Sequence, residues 1–225
     1  MDTIIETKTL CRQFKSGEEA IYALKNVNLD IKSGALTILK GRSGSGKTTL
    51  INLLGAIDYP TSGEIVFNGK DISKLKDSER DEIRRVDIGF VFQTGALMQN
   101  MNALENVEFA LRVSKPDLKD KRKRAEECLK LVGLFKRKDH FPQELSGGEM
   151  QRIAIARAIC HGPKVIFADE PTSALDTATG LQVVKLFKDM VEKQGLTIVM
   201  TTHDPNMLEI ADYVYTLEDG EIVNG

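Results

Sequence analysis

The chain has 225 residues, 41% of them hydrophobic and 28% charged, with a formal net charge of −2. A chain of that length buries roughly 70–75% of its unfolded surface and needs no covalent staples. The near-neutral balance supplies no basic field for nucleic acid, which is excluded as an expected partner. Cys11, Cys128 and Cys160 are scattered, forming neither a disulfide framework nor a metal-ligand cluster, and fit a reducing cytosol. Met1 to Glu6 has no basic start and no long apolar core, so no signal peptide is expected. No apolar run approaches the ~20 residues needed to span a bilayer.

Taken in order, Thr3 to Leu10, Ile21 to Ile31 and Glu64 to Phe67 carry alternating or β-rich patterns. Turn signals stand at Ser16-Gly17, Ser33-Gly34 and Asn68-Gly69. These segments predict a small antiparallel sheet. Phe14 falls in the first connection; an aromatic there fits the core, the commoner case, or a platform for a nucleobase.

Between those strands, the apolar run Ala35 to Leu39 leads into Gly41-Arg42-Ser43-Gly44-Ser45-Gly46-Lys47-Thr48, and Thr49 to Ile57 follows as a helix. The pattern is G-x-x-x-x-G-K-[ST], the P-loop or Walker A motif, in its strand–loop–helix setting. The glycines let backbone N–H groups turn inward on a phosphate chain. The helix adds unpaired N–H groups and the positive end of its dipole, about half a charge. Lys47 reaches phosphate as a point charge, and the Thr48 hydroxyl is placed to hold Mg²⁺.

Arg85 to Gln93 contains the apolar strand Ile88 to Phe92 and ends abruptly at Gln93. Helical spacing then takes over in Ala103 to Val113 and in Lys119 to Val132, where Ala125, Cys128, Leu129 and Val132 share a face. The basic run Lys121 to Arg124 reads as a solvated helix face, with an acidic docking surface as the alternative. With Pro116 and Pro142 around it, this block predicts a helical insertion in an α/β core. Alternation then resumes: strand Val165 to Ala168, amphipathic helix Ala178 to Gln194 capped by Gly195, and strand Leu196 to Thr202. That order predicts a parallel sheet.

Three further features carry chemistry. Asp169-Glu170 closes a strand, so one carboxylate can face Mg²⁺ and the other a water; two charges there could also mark where the strand meets solvent. Ser146 and Glu149 form an S-x-x-E capping box before the helix Met150 to Ile159. The intervening Gly147 and Gly148, which capping does not require, offer a second anion site and suggest a site completed by another copy. His203 ends a strand of the same sheet, and Gln93 ends another; a lone His is more often structural, yet both sit where phosphates would lie.

In this order, these residues resemble the nucleotide-binding subunit of an ABC transporter over about Ile4 to Val223. Leu145-Ser146-Gly147-Gly148-Glu149 matches the ABC signature, shortly before the Walker B strand Val165 to Glu170. The resemblance implies a P-loop α/β fold with a mostly parallel sheet, a small antiparallel β part and a helical subdomain. It places the core at 1–92 and 160–225 and the helical part, with the signature, at 93–159. It implies ATP held by Phe14 at the base and Gly41 through Thr49 at the phosphates, and Mg²⁺ held by Thr48, Gln93 and Asp169. Glu170 would be the general base and His203 the γ-phosphate switch. Ser146, Gly147, Gly148 and Glu149 would close the ATP site of a second copy, with Asp176 at the dimer seam. The segment after Gln93 would grip an integral membrane permease, holding the protein on the cytoplasmic face of the membrane. Asp58 to Glu64, Ile88 to Gln93 and Ala103 to Val107 resemble the lipoprotein-releasing and macrolide- or peptide-efflux ATPases, with the cell-division type nearby. Ser173-Ala174-Leu175-Asp176 departs from that subgroup and is commoner in amino-acid importers, and Met98 to Met101 replaces its usual Leu-Pro.

Overall fold

The computed structural model describes residues 2–16 and 19–224; Gly17 of the expected Ser16-Gly17 turn lies outside the described residues. The chain runs β1 (Thr3–Ser16), β2 (Glu19–Lys32), β3 (Leu36–Lys40), α1 (Lys47–Leu54), β4 (Ser62–Phe67) and β5 (Lys70–Asp71). It continues through α2 (Asp77–Val86), β6 (Ile88–Val91), α3 (Ala103–Ser114), α4 (Lys121–Leu131) and α5 (Gly147–Ile159). It closes with β7 (Val165–Ala168), α6 (Thr177–Gln194), β8 (Thr197–Thr202), β9 (Tyr213–Glu218) and β10 (Glu221–Asn224).

Two sheets result, an antiparallel one ordered β2-β1-β4-β5 and a larger one ordered β10-β9-β3-β8-β7-β6. In the larger sheet β9, β3, β8, β7 and β6 are parallel neighbours, and β10 pairs antiparallel on the edge. The buried strands sort their side chains with period 2. Leu36, Ile38, Ile166, Ile198 and Met200 join the cluster packed by α3 to α6. Leu39, Val165, Phe167 and Val199 face the other way, into a cluster with α1 and the antiparallel sheet. The fully buried Phe167 belongs to this second core, where truncation to Ala costs about 3–5 kcal/mol.

The helical block shares its core with the parallel sheet: Val107, Cys128 and Ile153 belong to the same cluster as Ile166. The basic run is solvated as expected, with Arg122 3.9 Å from Glu126 and Arg124 3.5 Å from Glu127. Gly195 ends α6 in the left-handed region at φ 66°. Three differences from the sequence reading stand out. First, β1 and β2 are antiparallel partners of 14 residues each, and Phe14 lies within β1 rather than in a connection. Second, the strand expected at Ile88 is preceded by a helix, α2, that the patterns do not show; α2 buries only Arg80 and Ile83, so it has no apolar stripe to read. Third, β9 and β10 extend the larger sheet beyond the strands that the patterns indicated.

Candidate active site

Four neighbouring strands, β3, β8, β7 and β6, end at one edge, and each leads the chain to a candidate residue within two positions. β3 leads into Gly41, β8 into His203, β7 into Asp169-Glu170, and β6 to Gln93 two residues beyond Val91. In open α/β sheets this carboxyl edge is where ligands bind.

The loop 41–46 is tight. A Cβ on Gly41 would stand 2.3 Å from the Leu217 carbonyl oxygen, and one on Gly46 (φ 104°) would stand 2.4 Å from that of Ala23. Helix α1 starts at Lys47 with no side-chain cap and no acidic residue in its first turn. Its N–H groups and dipole are therefore left for an anion. The Lys47 side chain is only 5% exposed; Nζ donates to the Gly41 carbonyl (2.8 Å) and the Arg42 carbonyl (3.0 Å) and lies 3.7 Å from Glu170 Oε1. A buried ammonium facing a cradle of N–H groups and glycines suits a polyphosphate. The cavity here, about 190 Å³, is lined by Ser43, Gly44, Gly46, Lys47, Thr48, Thr49 and Glu170, with Ala23 from the antiparallel sheet.

Beside it, Thr48 Oγ1 donates to Asp169 Oδ2 (2.9 Å), joining P-loop and Walker B. Thr201 Oγ1 donates to Asp169 Oδ1 (2.7 Å) and accepts from the Glu170 N–H (2.7 Å). Sequence reading passed over Thr201; a polar residue wholly buried in an apolar strand was the available signal. Glu170 takes the left-handed region (φ 43°), a conformation that costs any residue with a Cβ, and the chain leaves the strand direction there. Its Oε2 lies 3.5 Å from His203 Nδ1, and the His203 side chain is well exposed. Among the described residues no three His, Cys, Asp or Glu are grouped so as to hold a metal ion by themselves. A hydroxyl and one carboxylate, completed by substrate phosphates, is a donor set that suits Mg²⁺.

Gln93 is exposed, and its side chain has no hydrogen-bond partner among the described residues. The backbone around it is fastened instead. Gln151 Nε2 donates to the Phe92 carbonyl (3.2 Å), while Arg157 donates to the carbonyls of Ala96 (2.6 Å) and Gly95 (2.8 Å). Both residues lie on α5, so the helix beginning in the signature also holds the loop of Gln93. Neither emerged from the sequence, which gave only the helix that carries them.

The capping box forms as expected: Ser146 Oγ accepts from the Glu149 N–H (3.2 Å), and Glu149 Oε2 accepts from the Ser146 N–H (2.9 Å). The Ser146 bonds hold the Glu149 carboxyl below its ordinary range, with Arg137 adding to the effect. Gly147 is exposed, but Gly148 is buried, and a Cβ there would meet Thr179 Cγ2 at 2.5 Å. The second glycine therefore answers a packing need as well as offering an N–H. Asp176 caps α6, accepting from the Thr179 N–H (3.0 Å), which lowers its carboxyl. Signature and Asp176 thus meet through Thr179. No hydrogen bond among the described residues joins the Ser146 turn to the P-loop. Phe14 corrects the core reading: it is 42% exposed, opposite Ile21, with the Arg12 guanidinium over its ring.

A family model described as ABC transporter matches residues 24–173. The chain belongs to the ABC transporter family. As an ABC cassette it is an ATPase, with the P-loop fold expected of one. It is 44% identical over 220 residues to the uncharacterized ABC transporter ATP-binding protein MJ1508 of Methanocaldococcus jannaschii, covering 98% of both chains. It is 40% identical to the macrolide export ATP-binding/permease protein MacB of Vibrio parahaemolyticus, covering 99% of this chain but 34% of that one. Among solved structures, the dimeric post-hydrolysis state of the cassette MJ0796 of M. jannaschii, bound to ADP and Pi, superposes with a TM-score of 0.90. The identity there is 44%, over 98% of this chain and 97% of that one.

Proposed function

We propose that this cassette is the ATP-hydrolysing subunit of a membrane transporter, working as a dimer around two ATP molecules with the signature turn of each copy closing the other's site. The observation that carries it is the gathering of Lys47, Thr48, Asp169, Glu170 and His203 on one edge, where Lys47 and His203 each reach Glu170 and Thr48 reaches Asp169. The dimeric MJ0796 cassette supports the two-copy arrangement. Export, or extraction of a lipoprotein, macrolide or peptide, is the cargo reading that MacB supports.

Phosphoryl transfer needs positioning and charge neutralisation more than covalent chemistry. Lys47 and the P-loop N–H groups would hold the phosphates, and Phe14 the base. Thr48, Asp169 and Gln93 would hold Mg²⁺, which neutralises charge on the phosphate oxygens. Glu170 orients and polarises the attacking water, sharing His203 as a neighbour that senses the terminal phosphate. With a nucleotide bound, Lys47 has phosphate oxygens to pair with in place of the Gly41 and Arg42 carbonyls. The same move frees the Glu170 carboxylate for water.

Among the described residues no helix is long and apolar enough to cross a membrane. The route to the membrane is the block after Gln93. On α3, the exposed Phe109 lines a cavity of about 250 Å³ with Asn100, Met101, Glu105, Glu108 and Arg112, and Val113 is exposed on the same helix. That surface, an exposed aromatic among charged and polar side chains, suits a permease loop on the cytoplasmic side. Arg157 and Gln151 would carry its movement to the loop of Gln93.

The deciding experiment is Glu170→Gln. Removing the base should cut hydrolysis by roughly 10²–10⁴-fold while ATP binding persists. The variant should then elute as an ATP-dependent dimer in size-exclusion chromatography. A Glu170→Gln protein that hydrolyses ATP normally and stays monomeric with ATP would sink this assignment.

A further inference from the structure

The far end of β1 is braced by a residue that no motif names. The β1–β4 ladder ends at Cys11 paired with Ser62, and the β1–β2 register shifts on both sides of Arg12. Beyond that point β1 has a single strand neighbour, and Phe14 presents an exposed ring rather than a packed one. Little apolar contact fixes the plane of that ring.

Arg12 supplies the missing constraint. Its guanidinium carbon lies 4.5 Å from the centroid of the Phe14 ring. The Asp58 carboxylate pairs with the same guanidinium: Nη2 donates to Oδ1 at 2.9 Å, and Nε lies 2.8 Å from Oδ2 as an ion-pair contact without a hydrogen bond. Asp58 is itself held. Its Oδ1 accepts from the Tyr59 N–H (2.7 Å), and its N–H donates to the Asn52 carbonyl (3.1 Å) within α1. Its own carbonyl accepts from Arg80, a guanidinium 1% exposed that stacks 3.8 Å from the Tyr59 ring centroid. A continuous line of contacts therefore runs from the helix that begins at Lys47, through Asp58 and Arg12, to the Phe14 ring.

We infer that Arg12 is a positioning residue for the nucleobase: pinned by Asp58, its guanidinium holds the Phe14 ring so that its free face receives a purine at a fixed distance from the phosphate loop. The inference rests on Phe14 being the base platform. A planar fork can pair with a carboxylate in its plane while stacking flat on a ring. A lysine ammonium is a point charge and cannot do both. The cation also draws π density toward itself, leaving the opposite face a better partner for an electron-rich purine.

The test compares MgATP with magnesium tripolyphosphate, which has the phosphates but no base, by calorimetry on the full chain. Arg12→Ala should raise the Kd for ATP roughly three- to tenfold, the scale of one partly desolvated cation–π contact. Tripolyphosphate affinity should be unchanged. Arg12→Lys, which keeps the charge and is the safer variant for folding, should show the same direction. In a Phe14→Ala background, Arg12→Ala should add nothing. Equal losses for ATP and tripolyphosphate would overturn the proposal, as would a full Arg12 effect in the absence of Phe14. If Phe14→Ala weakens ATP while Arg12→Ala and Arg12→Lys do not, the inference alone fails. If Phe14→Ala leaves ATP affinity intact, the base-platform reading fails and takes the inference with it.

Discussion

Thr201 holds Asp169 in place: its Oγ1 donates to Asp169 Oδ1 at 2.7 Å, and the same oxygen accepts the N–H of Glu170. One buried hydroxyl on β8 thus sets both Walker B carboxylates, Asp169 directly and Glu170 through its backbone. It does so across a strand boundary, since the carboxylates follow β7. Thr201→Val keeps the shape and deletes the bonds. It should lower kcat roughly ten- to a hundredfold, because small misplacements of a reacting group carry costs of that size. ATP affinity, set by the P-loop, should stay within about twofold. Steady-state phosphate release beside a fluorescent-ATP titration reads both; loss of binding with unchanged kcat would refute the positioning role.

Lys47 carries a different burden. Its ammonium is buried on two P-loop carbonyls and 3.7 Å from Glu170, a charge kept out of water for an anion to use. Lys47→Ala should weaken ATP binding roughly a hundredfold, the scale of one or two charged hydrogen bonds. Because Nζ also ties the loop to itself, the variant should show faster amide exchange across 41–46. Equilibrium dialysis with labelled ATP measures the first effect and hydrogen–deuterium exchange the second. Retained tight binding would remove the phosphate role assigned to this residue.

Much of this site was legible because its parts are local. The P-loop, the Asp169-Glu170 pair and the capping box at Ser146 each depend on residues a few positions apart, where spacing and chemistry can be read together. The parallel strands were legible for a related reason: buried on both faces, Val165 to Ala168 and Thr197 to Thr202 read as apolar runs. What escaped is non-local. Thr201 matters through residues 31 and 32 positions away, and Arg157 through carbonyls 61 and 62 positions away. The exposure of Phe14 was not legible because burial of an aromatic depends on which strands reach it, and the β1–β4 ladder stops short of it. Helix α2 hid because its ion pairs, Arg84 with Asp81 and Arg85 with Glu82, stand in for an apolar stripe.

The cysteines make a simple probe of the packing between α4 and α5. Burial pushes the Cys128 thiol up to about 11 and that of Cys160 up to about 12, while Cys11 is partly exposed. The thiolate is the reactive form, and at pH 8 the two buried groups are almost wholly protonated as well as inaccessible. Native protein should therefore react with an aromatic disulfide reagent at one cysteine, and denatured protein at all three. Mass spectrometry should place the native label on Cys11. Rapid native labelling of Cys128 or Cys160 would show that the helices open readily.

Mild acid should weaken the fold through His161. The ring is 7% exposed, and Nε2 donates to the Ile88 carbonyl (3.0 Å) at the start of β6. Burial lowers its pKa and nearby Lys115 adds to that, while the Ile88 bond and Asp87 oppose. The folded protein therefore keeps the ring neutral where an unfolded chain, titrating near 6.5, takes up a proton. Unfolding binds more protons in that window, so stability is full above pH ~6.5 and falls as pH drops toward the lower folded value. The urea midpoint should decrease between pH 7.5 and pH 5.5, and His161→Asn, though less stable throughout, should lose most of that slope. A variant whose midpoint falls in parallel with the wild type would assign the acid sensitivity elsewhere.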